Sequence, residues 1–396
     1  MHKFYTRPIK LYYAKEELDS DFQLEIPEDL VVEATESFMI PVIALESSLD
    51  EESKLDEALQ YAKDAAVSAL FKVGRKVKDA VDTAVDKAIE YSDSNNRKQL
   101  LNESRLEDLA DRVKHLPKVP ETTSPLELED YMLRIGGKLP KDIKDIIEAL
   151  EDYNQLATYL NTDYIRQINK VADAYIDLIK DRDYATLLTS NSASSELIKT
   201  LDNIGFIKPN LPTKVVGTDK AVFKLFESDG LLANRVFKYK VCDTQEAGFK
   251  PFELLDNYYQ QTVTLERVES EDQRNNEIKL GLPTKQQLES LVELQQQLVA
   301  TLAELNRQVV KNTVPDYERR LVEAYTGKEG AIAKAVKKLG TKALVNTIGT
   351  DSSKGMSTIL SQYPKWTVEL FLKFIDISYN LLSSLTSLCD KAIKQY

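Results

Sequence analysis

Ten small or apolar residues between Leu55 and Ala88 (Leu55, Leu59, Ala62, Ala66, Ala69, Val73, Val77, Ala80, Ala84 and Ala88) recur at steps of three and four. That spacing lines them up along one stripe of an α-helix, and a stripe of this length has to be covered by other helices. Nine steps span thirty-three residues, a mean near 3.67, which favours a straight or slightly right-handed course over a left-handed heptad coil. The alanines allow close packing, so the pattern points to a helical bundle.

Similar periodicity recurs along most of the chain. A second helical stretch runs through Leu100, Leu101, Leu106, Leu109, Val113 and Leu116 to breaks at Pro117 and Pro120. Ser124, Pro125 and Glu127 have the spacing of a capping box, predicting a helix that stops at Gly136-Gly137. Two helices follow, roughly 140–160 and 163–182, with Ile143, Ile146, Ile147 and Leu150, then Ile165, Ile168, Val171, Ala172, Tyr175 and Ile179. Between about 205 and 270 the period shifts to two: Phe237, Tyr239 and Val241 alternate with Lys238 and Lys240, and Val263 and Leu265 with Thr262, Thr264 and Glu266. Thr284 is the expected N-cap of a leucine helix from Leu288 to Val309. In the closing helix Glu369, Lys373, Asp376, Asn380, Ser383, Ser387 and Asp390 keep to one narrow stripe, and apolar side chains cover the rest, as in a helix at the centre of a bundle.

The predicted fold is mainly α: an elongated multi-helix bundle with a small antiparallel β insert (about 205–270) of three to five strands. Its organisation reads as an acidic arm at 1–46, a helical domain at 47–204, a β insert at 205–282 and a C-terminal helical bundle at 283–396.

Charge sets the arm apart. The chain carries a net −12, and the segment from Lys15 to Glu57 alone holds fifteen carboxylates against Lys15 and Lys54. From Gly327 to Tyr396 ten lysines face five acids. The arm also contains Pro8, Pro27 and Pro41 and no sustained period, which predicts an extended segment.

Few residues are suited to catalysis. Cys242 and Cys389 sit in apolar surroundings and read as buried thiols; His2 and His115 are the only histidines. No HExxH, CxxC, Walker loop, GxGxxG or GxSxG motif is present, so no catalytic residue, metal site or cofactor is expected. The most apolar stretch, Trp366 to Leu388, is broken by Glu369, Lys373 and Asp376, and stable membrane insertion is not expected. Lys72, Arg75 and Lys76 share a predicted helix face that could contact phosphate, as could Lys337 and Lys338 beside Lys334 and Lys342. Asp64, Asp79, Asp82 and Asp86 lie close to the first cluster, so it reads in the first place as the solvated side of an alanine-rich helix and only second as a phosphate contact.

An acidic leader ending in a small-X-Glu tripeptide, a long helical body, a short β insert, the helix start "GLPTKQQLESLV" and the terminus "SLTSLCDKAIKQY" together resemble the internal head proteins of giant tailed bacteriophages. The resemblance implies a non-enzymatic virion protein held in the capsid interior, made in the host cytoplasm with an N-terminal propeptide and passing on with the genome. It implies as partners a prohead protease, capsid or scaffold proteins and packaged DNA, with no small-molecule substrate. The sites that fit such a protease are Ala34-Thr35-Glu36 before Ser37 and Ala44-Leu45-Glu46 before Ser47. The tripeptide also ends at Glu16, Glu90, Glu151, Glu196 and Glu329, and position singles out Glu46, where the unpatterned arm meets the first periodic helix. Two other readings remain at this stage: a cytoplasmic helical adaptor or scaffold that binds partner helices, and a membrane-active helical effector.

Overall fold

The computed structural model describes residues 94–120, 124–181, 191–204, 213–219, 223–242, 251–268, 277–310, 313–326, 330, 334, 359–360 and 362–396. The first helix among the described residues, α1, is described over 94–114. A short strand, β1 (Leu126–Glu129), and a 3-10 turn (Tyr131–Leu133) lead to α2 (Ile143–Tyr159), which runs through a π-helical turn (Leu160–Tyr164) into α3 (Ile165–Asp181). After α4 (Asn191–Ile204) come β2 (Thr213–Asp219), β3 (Phe223–Ser228), β4 (Arg235–Cys242), α5 (Pro251–Tyr259), β5 (Thr262–Arg267) and β6 (Glu277–Leu280). The chain closes with α6 (Lys285–Val310), α7 (Thr313–Thr326), a second π-helical turn (Lys365–Glu369) and α8 (Leu370–Ile393). The architecture is mainly α with small antiparallel sheets, as the periodicity predicts.

α8 is the axis of this body. Its apolar side chains cover most of its circumference, with Phe371, Ile375, Leu381, Leu382, Leu385 and Leu388 fully buried. α6 packs along it, and α2 packs on α6. The Thr284 cap forms as the sequence predicts: Gln287 N–H donates to Thr284 Oγ1 at 3.2 Å while Gln287 Oε1 accepts from Thr284 N–H at 2.9 Å. Buried side chains from α1, the helices and both sheets join in one continuous cluster.

The four-stranded sheet has the order β2-β3-β4-β5, antiparallel throughout, with Phe226, Tyr239 and Val263 level across three strands. One face is apolar and reaches α8 through β5. The other carries an alternating charge row, Lys214–Glu227–Lys238–Glu266, with N···O distances of 3.5, 3.5 and 3.0 Å. Period two therefore sorts this segment as expected.

The segment after Ser124 departs from expectation. Residues Leu126–Glu129 form a strand paired with β6, Leu126 opposite Leu280, where the capping-box spacing predicts a helix. Strand pairing buries Leu126 and Leu128 against the core, and this long-range gain overrides a local signal that rests on three residues. Gly136-Gly137 consequently ends no helix. Both have positive φ (53° and 88°), and Gly136 packs directly on Gly230, where an added Cβ would come within 2.3 Å of the Gly230 Cα. Gly136→Ala combines left-handed strain with a backbone clash and is expected to destabilise by roughly 1–3 kcal/mol in urea denaturation. A loss under about 0.5 kcal/mol would show that the two backbones are not in contact.

α1 corrects a second expectation. Its buried positions are Asn95, Asn102, Leu106, Leu109 and Val113, whereas Leu100 and Leu101 are 66% and 60% exposed. The stripe that meets the core is rotated away from the two leucines.

Candidate functional site

Three polar features interrupt the apolar body: the seam between α1 and α8, the meeting point of the two π-helical turns, and a buried carboxyl on α7.

The polar stripe of α8 is covered partly by α1. Lys98 Nζ reaches Asp376 Oδ1 at 2.6 Å, and Arg112 Nη1 reaches Asp390 Oδ1 at 2.6 Å, with Asp108 at 3.4 Å on its other side. Asp376 is nearly inaccessible, with a side-chain exposure of 5%, so its ion pair with Lys98 supplies the counter-charge that a carboxylate held out of water needs. Deeper in, Gln295 of α6 links the helices: its Oε1 accepts from Thr386 Oγ1 at 3.2 Å and its Nε2 donates to the Leu291 carbonyl at 3.1 Å. Beside it the Cys389 thiol is pushed up to about 12 by burial, an environment that suppresses the nucleophilic thiolate.

Each of the two long rods carries one π-helical turn, and the turns touch. Inserting a residue frees a backbone carbonyl, and in each turn a threonine hydroxyl bonds the carbonyl four residues back: Thr162 to Thr158 at 2.8 Å, Thr367 to Tyr363 at 2.7 Å. Tyr164 in the first turn donates its hydroxyl to the Trp366 carbonyl in the second at 2.7 Å. Trp366 Nε1 in turn donates to the Gln261 carbonyl at 2.8 Å, tying both rods to the sheet insert. Tyr259 lies between Tyr175 and Trp366, with ring centroids at 6.2 and 6.5 Å, so the junction is an aromatic lattice in which Tyr164 and Trp366 have their polar tips engaged.

On α7 the core-facing positions are Val314, Glu318, Leu321 and Val322. Glu318 is 3% exposed and neither carboxylate oxygen has a hydrogen-bond partner. Burial pushes its carboxyl up to about 8. Nearby, Asp173 of α3 accepts from Tyr317 Oη at 2.7 Å and from Arg320 at 2.9 Å, and Asn169 accepts from Tyr363 Oη at 2.9 Å. The sequence reading missed Glu318, although its spacing from Val314 and Leu321 is a helix-face signal that marks it as inward.

None of the three features sets a nucleophile beside a base. Among the described residues no three His, Cys, Asp or Glu side chains converge as a metal site, and no described helix is long and apolar enough to cross a membrane. His115 ends α1 in solvent, its Nδ1 2.7 Å from the Asp111 carbonyl. The cleavage candidates Ala34, Thr35, Glu36, Ser37, Ala44, Leu45, Glu46 and Ser47 lie outside the described residues, as do Lys72, Arg75, Lys76, Lys337 and Lys338. Lys334 is described: its ammonium caps α3 by donating to the carbonyls of Ile179 and Lys180, at 3.2 and 3.0 Å. Of the small-X-Glu matches, Glu151 lies inside α2 and Glu196 inside α4.

A helical body whose α1–α8 seam and π-helical junction are joined by ion pairs and hydrogen bonds suits a structural part, and the family comparison agrees. The model of the phiKZ-like phage internal head proteins matches residues 29–362, most of the chain. The chain belongs to this family. No curated protein and no solved structure matches it. It is thus a phage internal head structural protein, and its family places it in the capsid interior. The matched range of this internal head protein begins upstream of both candidate cleavage sites and ends just before the second π-helical turn and α8.

Proposed function

We propose that this internal head protein is a non-enzymatic component packaged as a precursor and cut after Glu46 by a prohead protease. The observation that carries the reading is where the small-X-Glu tripeptides fall. A protease cleft binds extended backbone, and α2 and α4 withhold Glu151 and Glu196 from it, whereas Glu46 belongs to the proline-containing acidic arm. A cut there leaves every residue of the described core in the mature chain.

Charge supplies the purpose. Residues 1–46 hold ten acids and four bases, so their removal halves the net −12 of the chain. Before the cut the arm repels nucleic acid and pairs with basic scaffold or capsid surfaces; afterwards that repulsion is relieved and Lys72, Arg75, Lys76, Lys337 and Lys338 are the candidate phosphate contacts. Passage into the host with the genome is the last step of the proposal.

Mass spectrometry of protein from purified particles is expected to find Ser47 at the N-terminus, with Ser37 as the next site. Recovery of chains that still carry the arm overturns the proposal, and cuts after Glu151 or Glu196 overturn the argument that helices shield those sites.

A further inference from the structure

The seam between α1 and α8 is a ladder of charges with one position unfilled. Lys98–Asp376 and Arg112–Asp390 both join residues 278 apart, so the two helices run parallel in a single register. Seven residues bring a helix back to nearly the same face, and the position midway between the two pairs therefore belongs to the seam as well. On α1 that position is a third cation, Arg105; on α8 it is Ser383, where the pairs on either side have aspartate. Arg105 is exposed and makes no ion pair or hydrogen bond among the described residues. It lines a groove of about 530 Å³ between the helices, with Ser104 beside it and Ser383 and Ser387 on the opposite wall. These hydroxyls also have no hydrogen-bond partner among the described residues. Asp108 and Asp390 share the groove, but the Arg112 guanidinium takes both, at 3.4 and 2.6 Å, and leaves Arg105 as the cation without a counter-charge.

We propose that this groove binds a phosphate group, whose charge fills the vacant position between the two ion pairs. The Arg105 guanidinium offers a planar fork of N–H donors that suits an oxyanion, and charge-assisted hydrogen bonds of this kind are the strong ones. Ser104, Ser383 and Ser387 add hydroxyl donors from both walls. A tetrahedral phosphate, with oxygens pointing several ways, uses donors on both walls at once; a flat carboxylate meets one wall or the other. Arg105, Ser104 and Ser387 are exposed, so the phosphate can arrive as a free ion or as part of a nucleic-acid backbone, and the recognition chemistry is the same for both. The inference does not depend on the cut at Glu46, because α1 and α8 stay in the chain whether or not the arm is removed.

The test is titration of the full chain with inorganic phosphate at constant ionic strength, read by phosphorus NMR, and with a labelled DNA duplex, read by fluorescence anisotropy. Saturable phosphate binding is expected. Arg105→Gln should weaken it roughly tenfold to a hundredfold, because a hydrogen-bonded charge is lost. Arg97→Gln removes an exposed arginine of the same helix that does not line the groove, and should leave binding unchanged. Ser383→Asp gives Arg105 the carboxylate that its position lacks, and should abolish binding with no fall in the urea midpoint. A duplex that competes with phosphate and is weakened by Arg105→Gln identifies a nucleic-acid backbone as the source; a duplex indifferent to Arg105→Gln, with phosphate binding lost, identifies the free ion. Phosphate binding that is absent, or that survives Arg105→Gln or Ser383→Asp, overturns the proposal, and so does acetate that competes as well as phosphate.

Discussion

Glu318→Gln is expected to make the protein more stable relative to wild type as the pH rises. Burial holds the Glu318 carboxyl at about 8 in the folded state against an ordinary value of 4.5. Below 4.5 the group is protonated whether the chain is folded or not, and it contributes no pH dependence. Between 4.5 and 8 the unfolded chain releases the proton while the folded chain keeps it, so stability falls by about 1.4 kcal/mol per pH unit from this group alone. Above 8 the loss levels off. A glutamine does not titrate, and the difference in unfolding free energy between variant and wild type should grow by about 4–5 kcal/mol from pH 4 to pH 9. Other titrating groups are common to both proteins and cancel in the difference. The cost of burying an unpartnered amide shifts the whole curve without tilting it. Urea denaturation at five or six pH values measures the slope, and two parallel curves would mean that Glu318 finds water or a cation in solution.

The outcome at α7 also shows what the sequence withholds. Hydrophobic period revealed α2, α3, α6, α8 and the strands β4 and β5, because in each the buried face is written in large apolar side chains. It failed on α1 and α7, where a polar residue takes an inward position. Asn95 and Asn102 hold the core face of α1, so the leucines at 100 and 101 pulled the expected stripe around the helix. Glu318 holds a core position on α7 with no local sign that its partner is missing. Leu126–Glu129 failed for a different reason: its strand partner, Glu277–Leu280, lies far along the chain, and no short-range pattern reports such a pairing. The candidate maturation site rests on charge, proline and the predicted start of a helical period, and it lies outside the described residues.

The heaviest single truncation in the body should be Trp366→Ala. Trp366 is 1% exposed, donates its indole N–H to the Gln261 carbonyl and accepts the Tyr164 hydroxyl at its own carbonyl. Removing the ring opens a cavity against Tyr259 and strands the Gln261 acceptor, for an expected loss of roughly 3–5 kcal/mol. Trp366→Phe retains most of the packing but not the N–H, and should lose about 1–3 kcal/mol. Tyr164→Phe removes only the hydroxyl bond and should cost about 1 kcal/mol. The site is where two helical rods and the sheet insert are bonded to one another, so the loss should be felt by the whole body. Circular dichroism in urea, which does not need the chain's single tryptophan, should show a lower midpoint with an unchanged slope for Trp366→Ala. A shallower slope or a second transition would mean that the sheet insert unfolds apart from the helices and that the π-helical junction joins two independent units. A single shifted transition means that α8, threaded through that junction, makes the helices and the insert one cooperative body.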